Sequence, residues 1–117
     1  DWLGAHGVRL VVTAGYMSLL APEFIARFRD RIVNVHPSLL PAFPGVRAIE
    51  QAIEAGVHET GVTVHLVDEG VDTGRVLIQE AVAIPPGATP EQLHVLLQPV
   101  EHRLLPEAVR RVAASLN

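Results

Sequence analysis

The sequence holds 117 residues, 49% of them apolar, with nine arginines, no lysine and thirteen acidic residues for a formal charge of −4. That is the composition of one globular domain, and its negative balance argues against a nucleic-acid or anionic-membrane surface as the main business of the chain. The absence of cysteine excludes disulfides, thiolate metal sites and a cysteine nucleophile, and no apolar run reaches the roughly 18 residues of a membrane helix. In chain order, residues 1–6 read as the end of a helix closed by Gly7. Val8 to Ala14 is a near-continuous apolar run of the kind buried on both faces of a parallel sheet. Met17 to Phe28 has helical spacing at Leu20, Phe24 and Phe28, with Pro22 suited to a first turn. Arg31 to His36 is a second short strand, stopped by Pro37.

Ser38 to Gly45 contains Pro41 and Pro44 and reads as irregular. Ala48 to Ala55 is a short helix with Gly56 as its stop signal. Thr60 to Val67 alternates, with Val62, Val64 and Leu66 on one face and Thr63 and His65 on the other, which predicts a half-buried strand. A glycine-bounded acidic turn, Asp68 to Gly74, leads into a further strand, Arg75 to Ile84, expected to form a hairpin with the last. Thr89-Pro90-Glu91-Gln92 is a capping-box pattern that opens a helix, and apolar residues recur at helical spacing from Leu93 to Val112. Pro99 and Pro106 each remove one backbone hydrogen bond, so a break or a bend is expected at both. The whole is one α/β unit, residues 1–117, with a mixed sheet, because a hairpin cannot be parallel.

Asn34 and His36 carry the chemistry most visibly. Period-2 geometry sets them on one side of a strand, about 7 Å apart, at its carboxyl end, where open α/β sheets bind ligands. An amide donor beside an imidazole suits a developing oxyanion; the alternative is a buried histidine satisfied by a carbonyl and an asparagine that caps the turn. Asp68, Glu69 and Asp72 could bind a cation, hold a histidine cationic or solvate a turn, and their spacing does not match a calcium loop. No pair of histidines has zinc spacing, so no metal site is expected. Phosphate-loop and serine-elbow motifs are absent.

Asn34-Val35-His36-Pro37-Ser38-Leu39-Leu40-Pro41 resembles the signature of the folate-dependent formyltransferases. Ala14 to Met17, Phe43-Pro44-Gly45, Thr60 to Gly74 and Val100-Glu101-His102 follow in that family's order and resemble its glycinamide ribonucleotide branch. The resemblance implies the carboxyl-terminal portion of a Rossmann-like formyltransferase fold, with the mixed sheet flanked by helices. The implied reaction moves a formyl group from 10-formyltetrahydrofolate to the amine of glycinamide ribonucleotide, in de novo purine synthesis, in the cytoplasm and without a metal. In it Asn34 donates a hydrogen bond to the oxyanion, Asp72 favours a charged His36, and His36 helps move a proton from amine to folate nitrogen.

The same resemblance assigns binding positions. Met17, Ser18, Leu19, Leu20, Ile25, Ile32, Val67, Asp68, Glu69, Gly70 and Val71 would form the folate pocket. Pro37, Gln98 and Glu101 would meet the ribonucleotide, and His65 would support the active-site loop. Arg75 replaces the proline common after the family's Asp-x-Gly motif. The family's opening strand and glycine-rich phosphate loop have no counterpart in the chain. It is therefore expected to be a homo-oligomer or to pair with an amino-terminal segment, since an exposed sheet edge invites a partner. Two other functions stay open at this point: a folate-binding folding module without catalysis, and a formyltetrahydrofolate deformylase.

Overall fold

The computed structural model describes residues 11–14, 31–67 and 74–115. The expected helix end over 1–6, the strand start over 8–10, the helix over 17–28 and the acidic turn over 68–73 lie outside the described residues. In chain order the elements are β1 (Val11–Ala14), β2 (Ile32–His36), α1 (Ala48–Glu54), β3 (Glu59–Leu66), β4 (Val76–Ala83) and α2 (Pro90–Ser115). The strands form one sheet in the order β1-β2-β3-β4. β1 runs parallel to β2, while β2 with β3 and β3 with β4 are antiparallel. The mixed sheet is therefore present, and the hairpin lies where the sequence places it.

Alternation along β2 and β3 sorts their side chains into two faces. Val33, Val35, Val62, Val64 and Leu66 share a core with Ile49 of α1 and with Leu93, Leu97, Leu104, Ala108 and Val112 of α2. Leu93 and Leu97 are fully buried; at about 1.5–3 kcal/mol for each buried leucine, packing rather than propensity holds α2 to the sheet. The other face carries Asn34, His36, Thr63 and His65, with Asn34 opposite His65 and His36 opposite Thr63. All four are buried, which corrects the half-buried reading of β3. The covering layer is the 37–44 segment, whose Leu39 lies against Gly61 and whose Leu40 N–H donates to Thr63 Oγ1 at 3.1 Å.

The capping box forms as written. The Gln92 N–H donates to Thr89 Oγ1 at 3.1 Å, and the Thr89 N–H donates to Gln92 Oε1 at 3.0 Å. From there α2 runs unbroken for 26 residues, through both internal prolines. No break occurs at Pro99 or Pro106. The carbonyls that lose their partners, four residues back, belong to Val95 and His102, exposed residues at which water can take the place of the missing N–H. The leucine stripe on the opposite face is left intact.

β4 contains an irregularity that matters nearby. Val64 pairs with Ile78 but His65 pairs with Val76, so Leu77 is the extra residue of a bulge. Its carbonyl accepts a hydrogen bond from Arg111 Nη1 at 2.9 Å, which ties the end of α2 to the edge strand.

Among the described residues, one buried side-chain group lacks a partner. Thr60 is 2% exposed, and its Oγ1 makes no hydrogen bond. Valine has the same shape without the hydroxyl, and a buried unsatisfied polar group costs about 1–3 kcal/mol. Thr60→Val should therefore stabilise the chain by about 1 kcal/mol, read as a higher denaturant midpoint at unchanged slope. A lower midpoint would show that the hydroxyl is satisfied after all.

Candidate functional site

The carboxyl end of β2 brings Asn34 and His36 to one face of the sheet, as period-2 geometry requires. Asn34 is 0% exposed and His36 4%. Polar groups so buried need partners. Asn34 Nδ2 lies 3.3 Å from His65 Nε2, across the strand pair. His65 Nδ1 lies 2.9 Å from the carbonyl oxygen of Leu66. His36 turns its Nε2 to the carbonyl of Phe43, 2.9 Å away. Phe43 holds a φ of 51°, a left-handed backbone that aromatic residues rarely adopt. Its conformation is over-determined by the segment around it.

That segment is sewn to the sheet through Thr63. The Thr63 hydroxyl donates to Ser38 O at 2.6 Å and accepts from the Leu40 N–H at 3.1 Å and from Gln79 Nε2 at 2.8 Å. Gln79 also donates to Leu40 O at 3.0 Å. Ser38 Oγ donates to Ala42 O at 2.6 Å, and the Ser38 N–H donates to His36 O at 3.0 Å. The hydroxyl of Thr63 thus uses its hydrogen and one lone pair on the chain that leads to Phe43, and its other lone pair on Gln79 of β4. Sequence reasoning did not find Thr63, Ser38 or Gln79. Alternation does put Thr63 on the face of His65, but nothing in one sequence says which residue of β4 reaches over it.

Of the proposed folate-facing positions, Ile32 and Val67 are described. Both are buried, and the Val67 N–H donates to Ile32 O at 2.8 Å, which closes the end of β3 onto the start of β2. Pro37 ends β2 and is partly buried. Asp72 and the positions at 17–20, 25 and 68–71 lie outside the described residues. Among the described residues no group of three or more histidines and carboxylates is arranged to hold a metal ion.

Gln98 and Glu101 sit on α2, which packs against the apolar face, so they stand across the sheet from Asn34 and His36. Glu101 falls in the same helical row as Leu93, Leu97 and Leu104. Burial pushes its carboxyl above the usual carboxylate range, against the opposing pull of His94 and His102. A carboxylate in a leucine row is a costly placement that core packing does not explain. Gln98 is exposed, and its Nε2 lies 3.1 Å from His94 Nε2.

The family described as formyl transferase matches residues 1–109. The chain is 49% identical over 109 residues to the phosphoribosylglycinamide formyltransferase of Mycobacterium tuberculosis (strain H37Rv), covering 93% of this chain and 51% of that protein. It is 42% identical over 117 residues to the protein of that name from Bacillus subtilis (strain 168), covering all of this chain and 60% of the relative. The chain thus spans about half to three-fifths of the length of these relatives. Its fold is that of the crystal structure of phosphoribosylglycinamide formyltransferase from Bacillus halodurans, with a TM-score of 0.89 at 50% identity over 99% of this chain and 60% of the other. A formyltetrahydrofolate deformylase from Pseudomonas syringae shares the fold at a TM-score of 0.87, with 30% identity over 97% of this chain and 38% of the other.

Proposed function

The chain belongs to the formyl transferase family, and from that premise we propose that it carries the catalytic part of an enzyme that formylates the amine of glycinamide ribonucleotide with 10-formyltetrahydrofolate. The observation that carries this reading is the pair Asn34 and His36, buried side by side at a strand's carboxyl end in a chain close to half identical to phosphoribosylglycinamide formyltransferases. The deformylase reading is weaker, with 30% identity against 50%.

Attack of an amine on a formyl carbon gathers negative charge on the formyl oxygen. Asn34 would donate a hydrogen bond to that oxygen from a site dry enough for the bond to count. His36, kept charged by the Asp72 carboxylate in this reading, would leave Phe43 O, to which its Nε2 turns without substrate, to stabilise the same charge and pass a proton from the amine to the folate nitrogen. No covalent bond to the enzyme is needed, in keeping with a chain that has no cysteine. Ile32 and Val67, apolar and joined at their backbones, fit one wall of a site for a flat heterocycle. A ligand that meets both Asn34 and Gln98 or Glu101 must reach round the strand ends, which suits an extended ribonucleotide.

The test is an assay in a full-length formyltransferase carrying these residues, with formyl donor supplied with and without glycinamide ribonucleotide. Formylated ribonucleotide formed in proportion to donor consumed is the expected result. Donor hydrolysis at the same rate in both conditions would replace the transferase reading with the deformylase one.

A further inference from the structure

The two ends of an asparagine amide have the same shape and opposite chemistry: the nitrogen end donates, and the oxygen end repels an anion. A buried asparagine that serves an oxyanion therefore needs a neighbour that distinguishes its ends. Asn34 and His65 face each other across β2 and β3, both 0% exposed, with Asn34 Nδ2 3.3 Å from His65 Nε2. On the far side of the ring, Nδ1 lies 2.9 Å from Leu66 O. A carbonyl oxygen only accepts, so Nδ1 carries the hydrogen. In a neutral ring Nε2 is then a bare lone pair, and the amide must present its nitrogen. A charged ring would instead require the amide oxygen, whereas the nitrogen is the end that stands 3.3 Å from Nε2.

We propose that His65 is a positioning residue: held as its Nδ1–H tautomer by Leu66 O, it sets the Asn34 amide nitrogen-inward, so that the second N–H of Nδ2 serves the reacting oxygen. The kinetic side of this rests on the reading of Asn34 given above; the tautomer does not. His65 also lies beside the β4 bulge at Leu77, where the ladder skips a residue. Bulges re-aim side chains near sites of function, and this one lies on the strand paired with the one that carries the ring.

Long-range ¹H–¹⁵N correlation of the histidine rings in the full-length wild-type protein reads the tautomer directly, with His65 assigned by its loss in His65→Gln. A protonated Nδ1 and an unprotonated Nε2 at neutral pH are expected. An Nε2–H tautomer, or a doubly protonated ring, would overturn the proposal whatever the activity. In kinetics, His65→Leu removes the acceptor and should lower kcat about 10- to 100-fold, below the 10²–10³ ascribed to loss of a whole oxyanion donor, with both KM values little changed. His65→Gln, whose Oε1 can accept from Asn34 Nδ2, should recover most of that loss. Normal kcat in folded His65→Leu would overturn the positioning role. If that variant does not fold, the wild-type tautomer and the His65→Gln rate decide. Near-normal turnover of Asn34→Ala would instead remove the Asn34 reading beneath the proposal.

Discussion

Asn34→Ala, in a full-length formyltransferase carrying these residues, is expected to lower kcat by about 10²–10³ while leaving KM for both substrates nearly unchanged. The split follows from when the bond matters. An amide hydrogen bond to a formyl oxygen gains most as that oxygen becomes an anion, so its loss raises the barrier more than it weakens binding. Truncation also strips His65 Nε2 of the donor 3.3 Å away. Losing that partner inside the sheet should cost about 1 kcal/mol in stability. A thermal midpoint measured beside the kinetics separates the two effects. Asn34→Asp is the harsher companion: it keeps the size and replaces a donor by an acceptor, so its rate should fall at least as far. A near-normal rate for folded Asn34→Ala would take the residue out of the catalytic group.

Local signals proved readable because their causes are local. Thr89 to Gln92 announced a reciprocal cap and formed one. The period-2 spacing of Asn34 and His36 announced a shared face of the sheet, and both residues lie on one. Glu101 came only from the resemblance, since a lone carboxylate on a helix reads as solvated; the structure sets it in the leucine row, where burial raises its carboxyl above the usual range. What escaped depends on packing at a distance. That β3 is buried on both faces follows from where the 37–44 segment folds back, which no alternation pattern encodes. That Gln79 joins Leu40 to Thr63 follows from the register of β3 against β4, and the bulge at Leu77 shifts that register by one residue. Of the break or bend expected at the two prolines, the break is absent, because the rule counts a lost hydrogen bond, whereas the residues that lose it here, Val95 and His102, are exposed.

Gly61→Ala should be the most damaging single methyl in the described sheet. Gly61 has no unusual backbone angle, so alanine could adopt its conformation; what it lacks is room. An added Cβ would stand 2.2 Å from the carbonyl oxygen of Glu80 and 2.5 Å from Leu39 Cδ2. Leu39 is a side chain and could turn aside, but Glu80 O is backbone of the paired strand and moves only if β3 and β4 separate. Overpacking of this kind costs about 1–3 kcal/mol and sometimes more, and the 0.5–1 kcal/mol by which alanine outdoes glycine in a strand cannot offset it. Against a total stability of about 5–15 kcal/mol, the loss is large. Gly87→Ala gives the control: its φ of +76° strains any side chain, yet nothing lies within 4 Å, so only the left-handed penalty of about 1–2 kcal/mol applies. Denaturant midpoints should fall further for Gly61→Ala than for Gly87→Ala. The folded fraction of Gly61→Ala should also lose turnover, because Leu39 belongs to the segment whose Phe43 carbonyl holds His36. A wild-type midpoint for Gly61→Ala would mean that the 37–44 segment does not rest on β3, and with it would go the account of why Thr63 is kept from water.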